Sequence, residues 1–168
     1  MNIRKNFVVA GLCFLSLCLT SCRMGQEDKA QDGLFLVNVL DKKFFDDCAL
    51  KAPGGKVYSV NVSMDDLETY AGKHWDKQKT NIVVYCANYK CTASGESAKI
   101  LKDLGYNHVW AYEGGTAEWM NKGFPVEGPC KQGYLKDYEK PAGHEVEAGV
   151  SPITAEELKA KIDAFSAQ

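Results

Sequence analysis

The sequence predicts an α/β fold in which a central parallel sheet is covered by helices on both faces. Short apolar runs typical of buried strands alternate along the chain with segments of helical periodicity, and glycines or polar residues separate them. The chain has 168 residues, of which 147 follow a predicted export segment at 1–21, a length that suits one domain. Its 20 basic and 22 acidic residues argue against a nucleic-acid partner.

Four segments have the pattern of β-strands, and four have the pattern of helices. Residues 34–40 are almost continuously apolar, as expected of a strand buried on both faces, and residues 82–85 are rich in β-branched side chains. Strands are also predicted at 57–62 and 109–112. The helices are predicted after Ser63 as N-cap, over 93–104, over 116–122, and after a capping box formed by Thr154 and Glu157. The last helix should dock on the same domain, because it cannot bury its apolar stripe alone.

The N-terminus has the organisation of an export signal. Arg4 and Lys5 precede the apolar run 7–19, which is shorter than the roughly 20 residues of a membrane-spanning helix. The run ends in Leu-Thr-Ser-Cys at 19–22, which resembles the lipobox of bacterial lipoproteins. We therefore expect a signal peptide at 1–21, a lipid on Cys22 that binds the membrane, and a flexible tether over 22–32. This places the protein in the cell envelope, on the periplasmic side if the cell is Gram-negative.

Seven cysteines in this length require an explanation. Cys13 and Cys18 lie in the signal, and Cys22 is the lipidation site, so four cysteines remain in the folded part. Four cysteines allow three complete disulfide pairings, between which the sequence does not choose. The four are Cys48, Cys86, Cys91 and Cys130. For Cys48 and Cys130, either a structural disulfide or two separate buried thiols fits the sequence.

Cys86 stands at the end of the most strongly predicted strand and is followed by a short loop and a helix. In this arrangement loop amides and the helix N-terminus point toward the sulfur and favour a thiolate, to which Lys90 can add a positive charge. The pattern thus predicts a lowered pKa and a nucleophilic role for Cys86.

These residues resemble the rhodanese family of sulfurtransferases, whose catalytic cysteine ends a central strand and opens a six-residue loop that leads into a helix. The resemblance covers 33–127. It rests on Leu36-Val37-Asn38-Val39, the loop from Cys86 to Cys91, Ala98, Leu101, Leu104-Gly105-Tyr106, Gly114-Gly115, Trp119 and Gly123-Phe124-Pro125-Val126. It implies a rhodanese-like three-layer fold over 33–130, with 131–168 as a C-terminal extension that contains one helix.

The resemblance implies that Cys86 accepts a sulfane sulfur as a persulfide and passes it to a thiol or another nucleophile. Donor and acceptor would be small molecules or proteins, and neither a metal nor a cofactor is expected. The active-site loop would comprise Ala87, Asn88, Tyr89, Lys90, Cys91 and Thr92, with the N–H groups of 87–91 stabilising the charge. Many members have Arg and Ser where this chain has Cys91 and Thr92, so the cation that could orient thiosulfate is lost or moved to Lys90.

Two other interpretations of the same residues stay open. Cys91 is either a resolving thiol, which would cycle with Cys86 between dithiol and disulfide or persulfide states, or a loop filler. The domain could also be a non-catalytic binding module, although such modules usually lack the cysteine. His74, His108 and His144 show no ligand spacing relative to any cysteine, which argues against a zinc site.

Overall fold

A computed structural model describes residues 32–168. The strands are β1 (Leu34–Asn38), β2 (Ala49–Leu50), β3 (Val57–Asn61), β4 (Asn81–Tyr85), β5 (His108–Tyr112) and β6 (Val126–Glu127). The centre is a four-stranded parallel sheet in the order β3-β1-β4-β5, and a separate antiparallel pair joins β2 to β6. The predicted signal peptide, the lipidation site Cys22 and nearly all of the predicted tether lie outside the described residues.

Helices cover both faces of the sheet, as the alternation of elements predicts. The helices are α1 (Lys42–Asp47), α2 (Leu67–His74), α3 (Ala93–Asp103), α4 (Gly115–Asn121) and α5 (Ala155–Ser166). A short 3₁₀ turn at Met64–Asp66 precedes α2, and another at Gly133–Lys136 follows β6. Within residues 32–168, none of the helices combines the length and the apolarity that crossing a membrane requires.

Alternate residues of the central strands enter two different cores. In β4, Ile82 and Val84 pack in a cluster with residues of α2 and α3, whereas Val83 and Tyr85 pack in a second cluster with residues of α4 and α5. Side chains alternate between the faces of a strand, so a strand that is apolar on both faces requires a layer of helices on each side. The sheet therefore lies between two helical layers, and the fold is the three-layer α/β architecture that the sequence predicts.

The C-terminal extension is built into this fold. The backbone around Pro152 adds to the free edge of β5, because Ala111 N–H donates to Ser151 O at 3.0 Å and Ile153 N–H donates to Ala111 O at 3.0 Å. Helix α5 begins at the predicted capping box, with Thr154 and Glu157 capping one another. Its residues Leu158 and Ile162 are buried in the second core.

A disulfide joins Cys48 and Cys130 and anchors the start of the extension beside α1. Cys130 N–H also donates to Asp47 O at 2.8 Å, and the Asp47 carboxylate accepts from the N–H of Lys131 at 3.1 Å. Of the two alternatives that the sequence leaves open for Cys48 and Cys130, the structure has the disulfide, and Cys86 and Cys91 are free thiols.

Candidate active site

Cys86 follows the last residue of β4, at the carboxyl edge of the parallel sheet where ligands commonly bind in open α/β folds. The first turn of α4 holds the start of the loop by its backbone. Thr116 N–H donates to Cys86 O at 3.1 Å, and Ala117 N–H donates to Ala87 O at 3.0 Å. The strand and α4 together therefore fix the position of the Cys86 backbone.

Gly115 allows α4 to approach the loop this closely. Its φ of +58° lies in the left-handed region, and a Cβ at this position would stand 2.5 Å from Cys86 O and 2.6 Å from the carbonyl carbon of Ala87. Both the backbone conformation and the available space thus require glycine. The Gly-Gly pair that contributes to the family resemblance has this steric role here.

Asn88 organises the tip of the loop. Its side-chain oxygen accepts from Lys90 N–H at 3.0 Å, and its backbone oxygen accepts from Cys91 N–H at 3.0 Å. The Asn88 side-chain amide donates to Tyr134 O of the extension at 3.3 Å. Of the N–H groups of 87–91 that are expected to stabilise the charge, those of Lys90 and Cys91 are occupied within the loop.

The Cys86 thiol is fully buried. Its sulfur lies 3.3 Å from Cys91 O, 3.8 Å from Asn88 O and 3.4 Å from Ser94 Oγ. The hydrogen bond with the Cys91 side chain, followed by burial, raises the pKa of Cys86 well above its usual value. The predicted lowering of the Cys86 pKa is therefore wrong for this state of the loop, because the thiol faces oxygen atoms and another sulfur rather than the loop amides.

Cys91 occupies the position in which a thiolate is favoured. The pKa of Cys91 is lowered to about 6 despite its partial burial. A hydrogen bond from Cys86 contributes most to this lowering, and the backbone N–H groups of Ala93 and Ala87 add to it. Cys91 is partly exposed. The thiolate that the sequence predicts on Cys86 is therefore favoured first on its neighbour Cys91.

Cys91 opens onto a cavity of about 70 Å³, enough for two or three water molecules. Its walls include Tyr89 of the loop, Glu113 after β5, and His144 and Glu147 of the extension. His144 Nε2 lies 2.6 Å from Glu113 Oε2, and the side chains are only 15% and 12% exposed. The Tyr89 ring packs edge-on against the His144 ring, with centroids 5.2 Å apart. The extension therefore contributes one wall of the site.

Lys90 does not supply a cation to this cavity. Its amino group pairs with Asp137 at 3.2 Å on the exposed side of the loop. The residues that line the cavity beside Cys91 include three glutamates, Glu113, Glu145 and Glu147, and no lysine or arginine. Thr92 also lines it and precedes α3. The sequence interpretation missed this acidic wall, although Glu113 directly follows β5 at the sheet edge that holds Cys86.

Neither thiol lines the larger cavities of the described residues 32–168. No group of three or more His, Cys, Asp or Glu side chains in this range is arranged to hold a metal ion. A larger cavity of about 560 Å³ lies between Lys90 and residues 136–142, and neither thiol lines it. We therefore place the candidate active site at the pair Cys86 and Cys91.

Comparisons with known proteins show what the chain is similar to. Residues 52–122, which include both cysteines, match the family model of the rhodanese-like domain. Among solved structures, the rhodanese-like domain of the Alr3790 protein from Anabaena sp. is 23% identical with a TM-score of 0.49, covering 56% of this chain and 87% of that chain. The BH2092 protein from Bacillus halodurans is 22% identical with a TM-score of 0.48, and the match covers 58% of this chain and 66% of that chain. No curated protein matches the sequence.

Proposed function

From the premise that the chain carries a rhodanese-like domain, a domain of the sulfurtransferase type, we propose that it is a sulfurtransferase with Cys86 as the sulfur carrier. The single observation that best supports this is the position of Cys86 at the carboxyl end of β4, on a loop held by α3 and α4. The free thiol at this point can form a persulfide without any cofactor.

The reaction has two balanced steps. In the first, a thiolate of the Cys86 and Cys91 pair attacks the outer sulfur of a persulfide donor, the sulfur–sulfur bond of the donor breaks, the donor leaves as its thiolate, and the sulfur comes to be held on Cys86. In the second, an acceptor thiolate attacks the outer sulfur on Cys86, which is released as the thiolate. Ser94 Oγ, 3.4 Å from the Cys86 sulfur, can donate a hydrogen bond to this thiolate.

The charge around the site favours donors other than thiosulfate. Glu113, Glu145 and Glu147 line the cavity beside Cys91, and Lys90 is paired with Asp137. A dianion such as thiosulfate is repelled by this wall, whereas an uncharged or positively charged organic persulfide is not. We therefore propose an organic persulfide as the donor and a thiol, on a small molecule or on a protein, as the acceptor.

Intact mass measurement tests the proposed activity. The reduced, purified protein is incubated with an organic persulfide, a polysulfide or thiosulfate, and we expect a gain of one sulfur atom in the wild type. Peptide mapping should find the retained sulfur on Cys86 in the wild type and in Ser59→Ala, a small substitution on β3, whereas any sulfur gained by Cys86→Ser should be confined to Cys91. A protein that gains no sulfur from any of these donors would leave the binding-module interpretation in place.

A second function is favoured by the proximity of the two free thiols. Because the Cys86 sulfur lies 3.3 Å from Cys91 O on the same loop, the pair is near enough for a thiol–disulfide redox cycle in which Cys91 resolves an intermediate on Cys86. Peptide mapping without reductant distinguishes this function, which requires a Cys86–Cys91 disulfide that forms during turnover and is reduced by an added dithiol. A pair that stays reduced through turnover excludes it.

We also propose that the protein is anchored in the cell envelope through lipid on Cys22. The proposal rests on the apolar run 7–19 followed by Leu-Thr-Ser-Cys. In the bacterium, the full-length Cys22→Ala variant should lose the incorporation of labelled fatty acid that the wild type shows. Continued incorporation would refute the lipidation site.

A further inference from the structure

The two thiols differ in their access to a donor. The Cys86 side chain is fully buried, under the carbonyl groups of Asn88 and Cys91. Cys91 is partly exposed and lines the cavity between the loop and the extension, whereas Cys86 does not line this cavity. A donor that enters this cavity therefore meets the sulfur of Cys91 first.

We infer that Cys91 is the first acceptor of the sulfane sulfur and that it hands this sulfur inward to Cys86. This inference rests on the proposed sulfurtransferase function and assigns the order in which its two cysteines act. Cys91 then becomes a catalytic residue, rather than a filler of the position where many family members have arginine. The donor must present an exposed sulfur at the end of a slender chain, because the cavity has a volume of only about 70 Å³.

The first step forms a bond between the Cys91 thiolate and the outer sulfur of the donor. The donor's sulfur–sulfur bond breaks, and its inner sulfur leaves as a thiolate. The backbone N–H groups of Ala87 and Ala93 hold the Cys91 sulfur as a thiolate before the attack. No oxidant or reductant is required, since the sulfane sulfur only changes its carrier.

The second step uses the proximity of the two cysteines on one loop, where the Cys86 sulfur lies 3.3 Å from Cys91 O. Cys86 attacks the outer sulfur on Cys91, the new persulfide forms on Cys86, and the bond between that sulfur and Cys91 breaks. The proton of the Cys86 thiol is transferred to the released Cys91 sulfur. Cys86 then holds the sulfur beside Ser94 until an acceptor removes it.

Rapid-quench mass measurement tests this order. The wild type, Cys86→Ser and Cys91→Ser are mixed with an uncharged alkyl persulfide, and the rate of sulfur gain is measured together with its site by peptide mapping. We expect Cys86→Ser to gain sulfur on Cys91 at the wild-type rate, and Cys91→Ser to gain it on Cys86 at least ~10-fold more slowly. In the wild type the sulfur should be found on Cys86 at the end.

Each other result overturns a distinct claim. Loading of Cys91→Ser at the wild-type rate would refute Cys91 as first acceptor and leave the proposed sulfurtransferase function intact. Formation of a Cys86–Cys91 disulfide with release of hydrosulfide would refute the transfer to Cys86. A wild type that gains no sulfur would refute the proposed function itself.

Alkylation of the unmodified protein provides a test that needs no substitution. Under limiting iodoacetamide we expect Cys91 to be modified at least ~10-fold faster than Cys86, because it is both exposed and ionised first. Faster modification of Cys86 in the folded wild type would overturn the inference even if the Cys91→Ser variant failed to fold.

Discussion

The two cysteine pairs of the described residues differ in bonding and in surroundings. Cys48 and Cys130, 82 residues apart, form a disulfide that ties α1 to the start of the extension. Cys86 and Cys91, only five residues apart, remain thiols on a loop whose tip is fixed by Asn88. The first pair therefore cross-links distant parts of the fold, whereas we assign the proposed sulfur chemistry to the second pair, which the local backbone holds close together without a bond.

The largest effect should come from Gly115→Ala, because this substitution disturbs the backbone contact between α4 and the loop that carries Cys86 and Cys91. A Cβ would lie 2.5 Å from Cys86 O in a residue whose φ is +58°, so we expect a destabilisation of about 3 kcal/mol and loss of sulfur transfer. Urea unfolding and the sulfur-gain assay measure the two effects. Gly72→Ala on α2 is the matched control, because an added Cβ there meets no atom within 4 Å and should be neutral or mildly stabilising. Equal stabilities of the two variants would contradict the steric role of Gly115.

The next largest effect should come from removing the Cys48–Cys130 disulfide, and it tests whether this disulfide is separate in function from Cys86 and Cys91. The double variant Cys48→Ala/Cys130→Ala should lose about 2 to 4 kcal/mol of unfolding free energy, since the disulfide closes a long loop in the unfolded chain. Its sulfur gain at a temperature where it is folded should match the wild type. Loss of sulfur transfer in the folded double variant would show that the two pairs are not separate in function.

The pH dependence of alkylation sharpens the contrast within the reactive pair. Because the pKa of Cys91 is lowered to about 6, its thiolate is present above that pH and disappears as the pH falls through it. The rate of iodoacetamide modification at Cys91 should therefore rise with a midpoint near 6. In Cys86→Ala the main hydrogen bond is lost, and the midpoint should move up toward the usual value of about 8.5. An unchanged midpoint would show that Cys86 does not stabilise the Cys91 thiolate.

The smallest effect concerns the acidic wall. Glu147→Gln should increase the rate of sulfur gain from thiosulfate several-fold at low salt, and the increase should shrink as salt screens the wall. Glu127→Gln on β6, outside the lining of this cavity, makes the same change of charge and should have no such effect. Equal rates in both variants would contradict selection against anionic donors.

Much of this architecture could be predicted from the sequence. The buried strands and the position of Cys86 at the end of β4 follow from apolar runs and helix boundaries, and α5 begins at the capping box that Thr154 and Glu157 predict. These features are local, so their residues alone determine them. The rhodanese-like character of the domain also followed from such local motifs in a fixed order.

Other features depend on contacts that no local pattern contains. Helix α1 and the pairing of β2 with β6 were missed, because a two-residue strand has no periodicity and is stabilised by its partner. The pKa is raised at Cys86 and lowered at Cys91, which is the reverse of the prediction, because the backbone N–H groups face the sulfur of Cys91. The wall of the site that His144 contributes arises from the path of the extension, which is a tertiary feature.

The most direct test of the account is to follow one isotope-labelled sulfane sulfur from donor to protein. After a single turnover with a labelled organic persulfide, peptide mapping without reductant should find the label on the peptide that contains Cys86 and Cys91, with the Cys48–Cys130 disulfide intact and unlabelled. An added thiol should then remove the label. Absence of label from the Cys86 peptide, or label at Cys48 or Cys130, would contradict the assignment of the two pairs.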